Sequence, residues 1–286
     1  MSKLRIGLDA LNKLLRRANL RAETLTLDRL EEQRLRAANE AGWFDKPAYA
    51  VPPTFLQSAH QFLLDELPKH RARFDTFLRA DANDVGFQFD NGFYFSPDAD
   101  ILYALVRAKC PRRIVEIGCG NSTKIIRQAI KDGALACEHV AIDPQPRLEI
   151  SRLVDVMIQR PIEYADAGSR VAKLEAGDIL FIDTSHEVKP ANDVAYIYGR
   201  LLDKVRAGVI LHIHDIFLPY EYPRSWVIDI GLNWGEQYIV HAMLTNQSNW
   251  EVLWPGYYLQ RTLTGFEKHF PHWRGAMAQS LWLRKT

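Results

Sequence analysis

Two hydrophobic periods divide the chain. From Met1 to about Ala80 leucines and phenylalanines recur at helical spacing: Leu8, Leu11, Leu15, then Leu25, Leu27, Leu30, then Phe55, Phe62, Leu63, Leu67. Pro47, Pro52 and Pro53 mark a loop between these helical pieces, and Asp81 to Pro97 reads as a joining segment. From Ile101 onward short apolar runs alternate with helical stretches. A helix at Ile101–Lys109 leads to a strand around Ile114–Ile117, and further strands are expected at His139–Asp143, near Val154–Ile158, at Asp178–Asp183 and at Gly208–Asp215. Helices are expected at Lys124–Ile130, at about Ala191–Val205 and at Gln237–Leu244, and strand-like runs at Glu251–Tyr258 and Ser280–Arg284 close the pattern as an antiparallel hairpin. Strands that alternate with helices imply a mostly parallel sheet covered on both faces. The expected fold is α/β, a Rossmann-like doubly wound sheet of about seven strands (residues 86–286) behind a helical N-terminal region (1–85).

Chemistry-bearing residues gather at the carboxyl ends of these strands, where an open parallel sheet binds its ligands. Glu116, Gly118, Gly120, Asn121 and Ser122 follow the first strand, Asp143 ends the second, Asp183, Ser185 and His186 end the fourth, and His214 and Asp215 end the fifth. Strand, glycine turn and helix in that order are expected to bind an adenosine-containing cofactor, because Gly118 and Gly120 let the backbone approach it closely. Asp143 lies 23 residues beyond Gly120, near the ribose-binding position of such sheets, although a helix cap is the bland alternative. Glu116, an acid within an apolar strand, requires a ligand, a metal or a backbone amine beside it.

Composition narrows the function. The chain has 286 residues, 47% hydrophobic and 25% charged, with a formal charge of +1, so nothing global points to nucleic acid, and a small-molecule partner is expected. Cys110, Cys119 and Cys137 form neither a disulfide framework nor a paired metal motif and suit a reducing, cytoplasmic setting. No run reaches the length of a membrane span. Basic residues at Lys3, Arg5, Lys13, Arg16, Arg17 and Arg21 read as a solvated face, since Glu23, Asp28, Glu31 and Glu32 soon follow. The N-terminal helices are the expected surface for any homo-oligomer.

Over roughly Asn91 to Thr286 the chain resembles the class I S-adenosylmethionine-dependent methyltransferases. The resemblance rests on VEIGCGNST, AIDP, DILFIDTSH, GVILHIHDIFLPYEYP, NWGEQY and the closing SLWLRK strand. It implies that the glycine turn holds the methionine part of the cofactor, that Asp143 holds the ribose, and that Ile162 and Glu163 lie near the adenine. Enzymes of this group that act on exocyclic amines of nucleic acids carry Pro-Pro and an aromatic after the fourth strand. Here the residues are Asp183-Thr184-Ser185-His186, which looks more like O-methyltransferases acting on small-molecule hydroxyls. In related sugar O-methyltransferases a carboxylate at the Asp183 position and an acidic pair after strand five hold a divalent ion, and a His three residues beyond that first ligand is the base. Asp183 and His186 match; His214-Asp215 departs from the acidic pair. The implied catalytic residues are His186 and Asp183, and the implied magnesium or manganese ligands are Asp183, His214 and Asp215. For His214 the bland reading is a hydrogen bond that fixes a neighbouring carboxylate; for His212 it is a satisfied core histidine.

Asn91, Phe93 and Tyr94, just before the first helix of the domain, could close over the cofactor, and Trp234, Glu236 and Tyr238 could line the acceptor side, although the aromatic rings are equally compatible with interdomain packing. Competing readings are a nicotinamide-dependent oxidoreductase, disfavoured because Thr123 stands where the third glycine of GxGxxG would be, a non-catalytic cofactor-binding scaffold, and a metallohydrolase built on His212, His214 and Asp215, for which too few further histidines fall at strand ends.

Overall fold

A computed structural model describes residues 3–79, 85–246 and 249–286, so positions 81–84 of the joining segment lie outside the described residues. The chain forms two compact units, one of residues 1–46 with 223–232 and one of 47–222 with 233–286. The smaller unit holds the helices Lys3–Leu15 and Thr26–Glu40. Asn12 fastens the link between them, its Nδ2 donating to Ala22 O at 2.9 Å and its Oδ1 accepting from Ala22 N at 2.7 Å. Leucines of these helices stay exposed, Leu14 at 67% and Leu30 at 57%.

The larger unit is built on a seven-stranded sheet: β1 (Arg113–Ile117), β2 (Glu138–Ile142), β3 (Val156–Ile158), β4 (Ile179–Ile182), β5 (Ile210–Ile213), β6 (Trp250–Pro255) and β7 (Leu281–Lys285). Their order is β3-β2-β1-β4-β5-β7-β6, parallel from β3 to β5, with β7 antiparallel to both β5 and β6. The expected doubly wound sheet is therefore present, and the strand order reverses between β1 and β4. Side chains alternate between two cores, as period-two strands covered on both faces require. Ile114, Ile179, Phe181 and Ile210 pack under the Asp98–Lys109 and Asn121–Asp132 helices, and Val115, Ile117, Leu180 and Leu211 pack with Val171, Ile197, Leu201 and Val240 on the other side.

Two sequence expectations need correction. The run Glu251–Tyr258 stops being strand at Pro255, and Gly256 opens a helix to Thr262, its backbone so close to Ser280 that a Cβ would lie 2.7 Å from Ser280 O. The last two strands pair antiparallel as expected, and that helix lies in the connection between them. The expected continuous helix over 191–205 is instead a short α-helical turn at Asp193–Tyr196, a wide turn at Ile197–Leu201 and a tight one at Leu202–Lys204.

Candidate active site

The site forms where β1 and β4 diverge. Gly118 leaves β1 with φ of +77°, and its N–H donates to Ile142 O at 2.9 Å, which ties the turn to β2. A Cβ there would lie 1.7 Å from the main-chain oxygen of Asp183, so only glycine lets the turns after β1 and β4 approach this closely. Glu116, fully buried, meets its need for partners within the protein. Its Oε1 accepts from Ser122 Oγ at 2.7 Å, and its Oε2 accepts from Thr123 Oγ1 at 2.9 Å and meets His139 Nε2 at 2.9 Å. Thr123 Oγ1 in turn accepts from Gly120 N at 3.0 Å. Glu116 thus braces the turn from beneath, where a ligand, a metal or a backbone amine was expected. The parallel pairing of Ile114 with His139 brings the imidazole to that face, a partner no local motif announces.

A cavity of about 420 Å³ opens above this turn. Gly118, Asp143 and Asp183 line it together with Ile162, Glu163, Thr184 and Ser185, whereas Glu116, Gly120, Asn121 and Ser122 do not. Asp143 Oδ2 accepts from Cys119 N at 3.0 Å, and Oδ1 accepts from Gln145 N at 2.7 Å, which fixes the carboxylate at the cavity wall. Burial, with Glu116 and Asp143 nearby, pushes the Cys119 thiol far up, so it stays neutral. Asn121 Nδ2 donates to Asn91 Oδ1 at 3.0 Å, which also accepts from Phe93 N and Tyr94 N and so fastens the preceding loop over the helix start. Ser185 closes its own loop by donating from N and Oγ to Asp193 at 2.9 and 2.7 Å.

Beside the cavity stands a cluster of acids around one imidazole. His186 Nε2 lies 3.3 Å from Asp183 Oδ1 and 3.1 Å from Asp215 Oδ2, and Nδ1 lies 2.8 Å from Glu236 Oε2. Both His186 and Asp215 hold φ of +57°, a left-handed conformation that costs about 1–3 kcal/mol in a residue with a side chain and concentrates at functional sites. That conformation turns Asp215 toward His186. Burial opposes charge on the His186 ring, but the contacts with Asp183, Asp215 and Glu236 prevail and hold its pKa well above the ordinary value. Asp183, whose side chain is 33% exposed, is resisted by desolvation but drawn down to about 2 by the charges of His214 and His186.

The expected metal trio of Asp183, His214 and Asp215 does not converge; Asp183, His186 and Asp215 do, their ligand atoms all within 4.8 Å of one another. His214 Nε2 stays 4.0 Å from Asp215 Oδ1, because residue 214 shares a strand face with His212 and lays its ring against Tyr94, centroids 5.0 Å apart. His212 is a core residue, stacked on Phe181 at 3.9 Å and paired with Ser280 Oγ at 3.1 Å; burial holds its pKa well below normal. Sequence reading missed Tyr198, whose hydroxyl donates to Glu236 Oε1 at 2.9 Å, and it did not foresee the bond between Glu236 and His186.

A family model described as a methyltransferase domain matches residues 115–216, the stretch from β1 through the end of β5. The chain carries a methyltransferase domain over this stretch. No curated protein matches it in sequence. Among solved structures, the methyltransferase resembles CmcI-N160 in its apo form at 16% identity and TM-score 0.34, over 43% of this chain and 53% of that one. It also resembles the SAH-bound methyltransferase PaMTH1 of Podospora anserina at 17% identity and TM-score 0.42, over 78% and 88% of the two chains. An O-methyltransferase from Bacillus cereus in complex with SAH is similar at 16% identity and TM-score 0.41, over 78% and 90%. The chain thus spans about half the length of the first of these. Among the described residues, no helix of the methyltransferase is long and apolar enough to cross a membrane.

Proposed function

We propose that this protein transfers the methyl group of S-adenosylmethionine to a hydroxyl of a small-molecule acceptor. The observation that carries the reading is the junction of the 420 Å³ cavity with the acid–imidazole cluster: Asp183 belongs to both. The cavity suits a nucleoside. Asp143 presents a fixed carboxylate to a ribose diol, Ile162 and Glu163 form the wall toward an adenine, and the Gly118 backbone leaves room for the amino-acid end. Thr184 Oγ1, buried without a partner among the described residues, is a further group for a ligand to satisfy.

Methyl transfer from a sulfonium is an in-line displacement. The acceptor oxygen forms a bond to the methyl carbon, the carbon–sulfur bond breaks, and the sulfur keeps its electron pair. The enzyme must align the two and remove the hydroxyl proton. His186 Nε2 takes that proton, and Asp183, Asp215 and Glu236 stabilise the imidazolium that results. The same carboxylates keep the resting ring protonated, and positive charge placed beside Asp183 weakens that hold and frees Nε2 to act.

A divalent metal is a second use of the same atoms. Cis ligands about 2.1 Å from an octahedral ion lie about 3 Å apart, the spacing His186 Nε2 keeps from both carboxylates, and Asp215 Oδ1 is buried without a partner among the described residues. Two carboxylates and an imidazole favour manganese, iron or zinc over magnesium, and such an ion would orient the acceptor oxygen and lower its pKa. It would also occupy the atom that serves as base, so the two uses are distinguishable. The exposed leucines of the N-terminal helices support pairing of two copies through that surface, and the free cysteines suit a reducing compartment.

The test is product formation from S-adenosylmethionine across a panel of hydroxyl-bearing acceptors, with and without chelator, for wild type and His186→Ala. Turnover insensitive to chelator and abolished in the variant supports the base. Loss of turnover in chelator, restored by manganese, supports the metal. S-adenosylhomocysteine binding with no turnover on any acceptor would instead favour a cofactor-binding scaffold.

A further inference from the structure

We propose that Glu236 is the positioning residue of His186, held in place by Tyr198, and that this chain of contacts decides which imidazole nitrogen faces the acceptor. The inference rests on the reading of His186 as the proton-accepting group. Its first support is geometric. Of the three carboxylates around the ring, Glu236 makes the aligned hydrogen bond, 2.8 Å from Nδ1 to Oε2, while the Nε2 contacts are ion-pair distances of 3.1 and 3.3 Å. A carboxylate can only accept, so Nδ1 carries a hydrogen toward Glu236, and Nε2 is the nitrogen left facing Asp183 and Asp215.

Its second support is the environment of Glu236, which is fully buried although it opens the Glu236–Asn246 helix. A buried carboxylate is costly unless both oxygens are bonded, and here they are: Oε2 by His186 and Oε1 by the Tyr198 hydroxyl at 2.9 Å. Nothing about starting a helix requires this burial, since an acid in a first turn is favourable while fully solvated.

The third support is a main-chain tie between the same two residues. His186 O accepts from Gly235 N at 2.9 Å and from Glu236 N at 3.1 Å, which holds the left-handed His186 backbone against the helix start. Trp234 packs on the imidazole, ring centroids 4.4 Å apart, and limits its rotation. Main chain and side chain of Glu236 therefore both locate a residue 50 positions earlier.

The experiment compares Glu236→Gln, Glu236→Asp and Tyr198→Phe. Glutamine fits the space, but with its oxygen accepting from Tyr198 its amide nitrogen faces Nδ1 and forces the hydrogen onto Nε2. The expected result for Glu236→Gln is a kcat lower by on the order of 100-fold, with acceptor KM and S-adenosylhomocysteine affinity within about twofold of wild type. Tyr198→Phe is expected to lower kcat about three- to tenfold in the same pattern, and Glu236→Asp to recover part of the loss. In nitrogen-15 histidine spectra recorded at a pH high enough for the His186 ring to be neutral, the ring is expected to change from the Nδ1–H to the Nε2–H tautomer in Glu236→Gln. A folded Glu236→Gln with wild-type kcat, or an unchanged tautomer, overturns the inference. A fall in kcat matched by an equal loss of cofactor affinity in both Glu236→Gln and Tyr198→Phe overturns it too, since that marks structural damage. If His186→Ala itself retains turnover, the reading of His186 fails independently of Glu236.

Discussion

Replacing Gly118 by alanine tests the junction on which the site depends. Two costs separate cleanly in this fold. The first is conformational: φ of +77° strains any residue with a Cβ, by about 1–2 kcal/mol. The second is steric: the new methyl would lie 1.7 Å from Asp183 O and 2.9 Å from its carbonyl carbon, both main-chain atoms that cannot swing aside. Overpacking of this kind adds about 1–3 kcal/mol as the backbone shifts. Gly177 supplies the control, because its φ is +90° but nothing lies within 4 Å of its would-be Cβ. Urea unfolding followed by tryptophan fluorescence should show Gly177→Ala down by about 1 kcal/mol and Gly118→Ala by about 2–5 kcal/mol, at unchanged slope. Since the clash pushes apart the turns that line the cavity, Gly118→Ala should also weaken S-adenosylhomocysteine binding at least about tenfold while Gly177→Ala leaves it intact. Equal unfolding midpoints for the two variants, or cofactor affinity unchanged in Gly118→Ala, would refute the claim that the two turns meet with no room for a side chain.

Two further outcomes follow from buried acids. Asp100 is 1% exposed, neither carboxylate oxygen has a hydrogen-bond partner among the described residues, and burial raises its pKa to about 7. A raised folded-state pKa gives stability that is complete below about pH 4 and lost as pH rises toward 7, at about 1.4 kcal/mol per unit, on the order of 4 kcal/mol in all. Asp100→Asn should therefore match wild type near pH 4 and exceed it at pH 8 in urea midpoint, and a difference independent of pH would contradict this. Glu116→Gln should cost about 1–3 kcal/mol of stability, as a buried oxygen that accepts two contacts becomes an amide, with cofactor affinity little changed; a calorimetric loss of affinity without loss of stability would return Glu116 to the ligand.

Much of this architecture was legible because it rests on local period. Ile114 to Ile117 and Ile179 to Ile182 are short apolar runs followed by glycine or acid, and they fall side by side at the reversal of strand order. Asp143 and Asp183, read from their place in that frame, line the cavity together with Ile162 and Glu163, which the family resemblance pointed to. What was not legible depended on backbone conformation or on distance along the chain. His186 rather than His214 joins the acids because residues 186 and 215 adopt positive φ, which neither residue type announces. Glu116 finds His139 through strand register, and His186 finds Glu236 through a loop that ends at a helix start. The irregular helix after Asn192 arises from packing, while its sequence carries an ordinary helical period.

The central claim is that the cavity at the ends of β1 and β4 is the S-adenosylmethionine site, and calorimetric titration with S-adenosylhomocysteine tests it most directly. Wild type should bind S-adenosylhomocysteine and not NAD, and Asp143→Ala should bind it about 10- to 100-fold more weakly, the worth of hydrogen bonds to a charged group. Binding of NAD alone, no binding of S-adenosylhomocysteine, or equal affinity in wild type and Asp143→Ala would contradict the account.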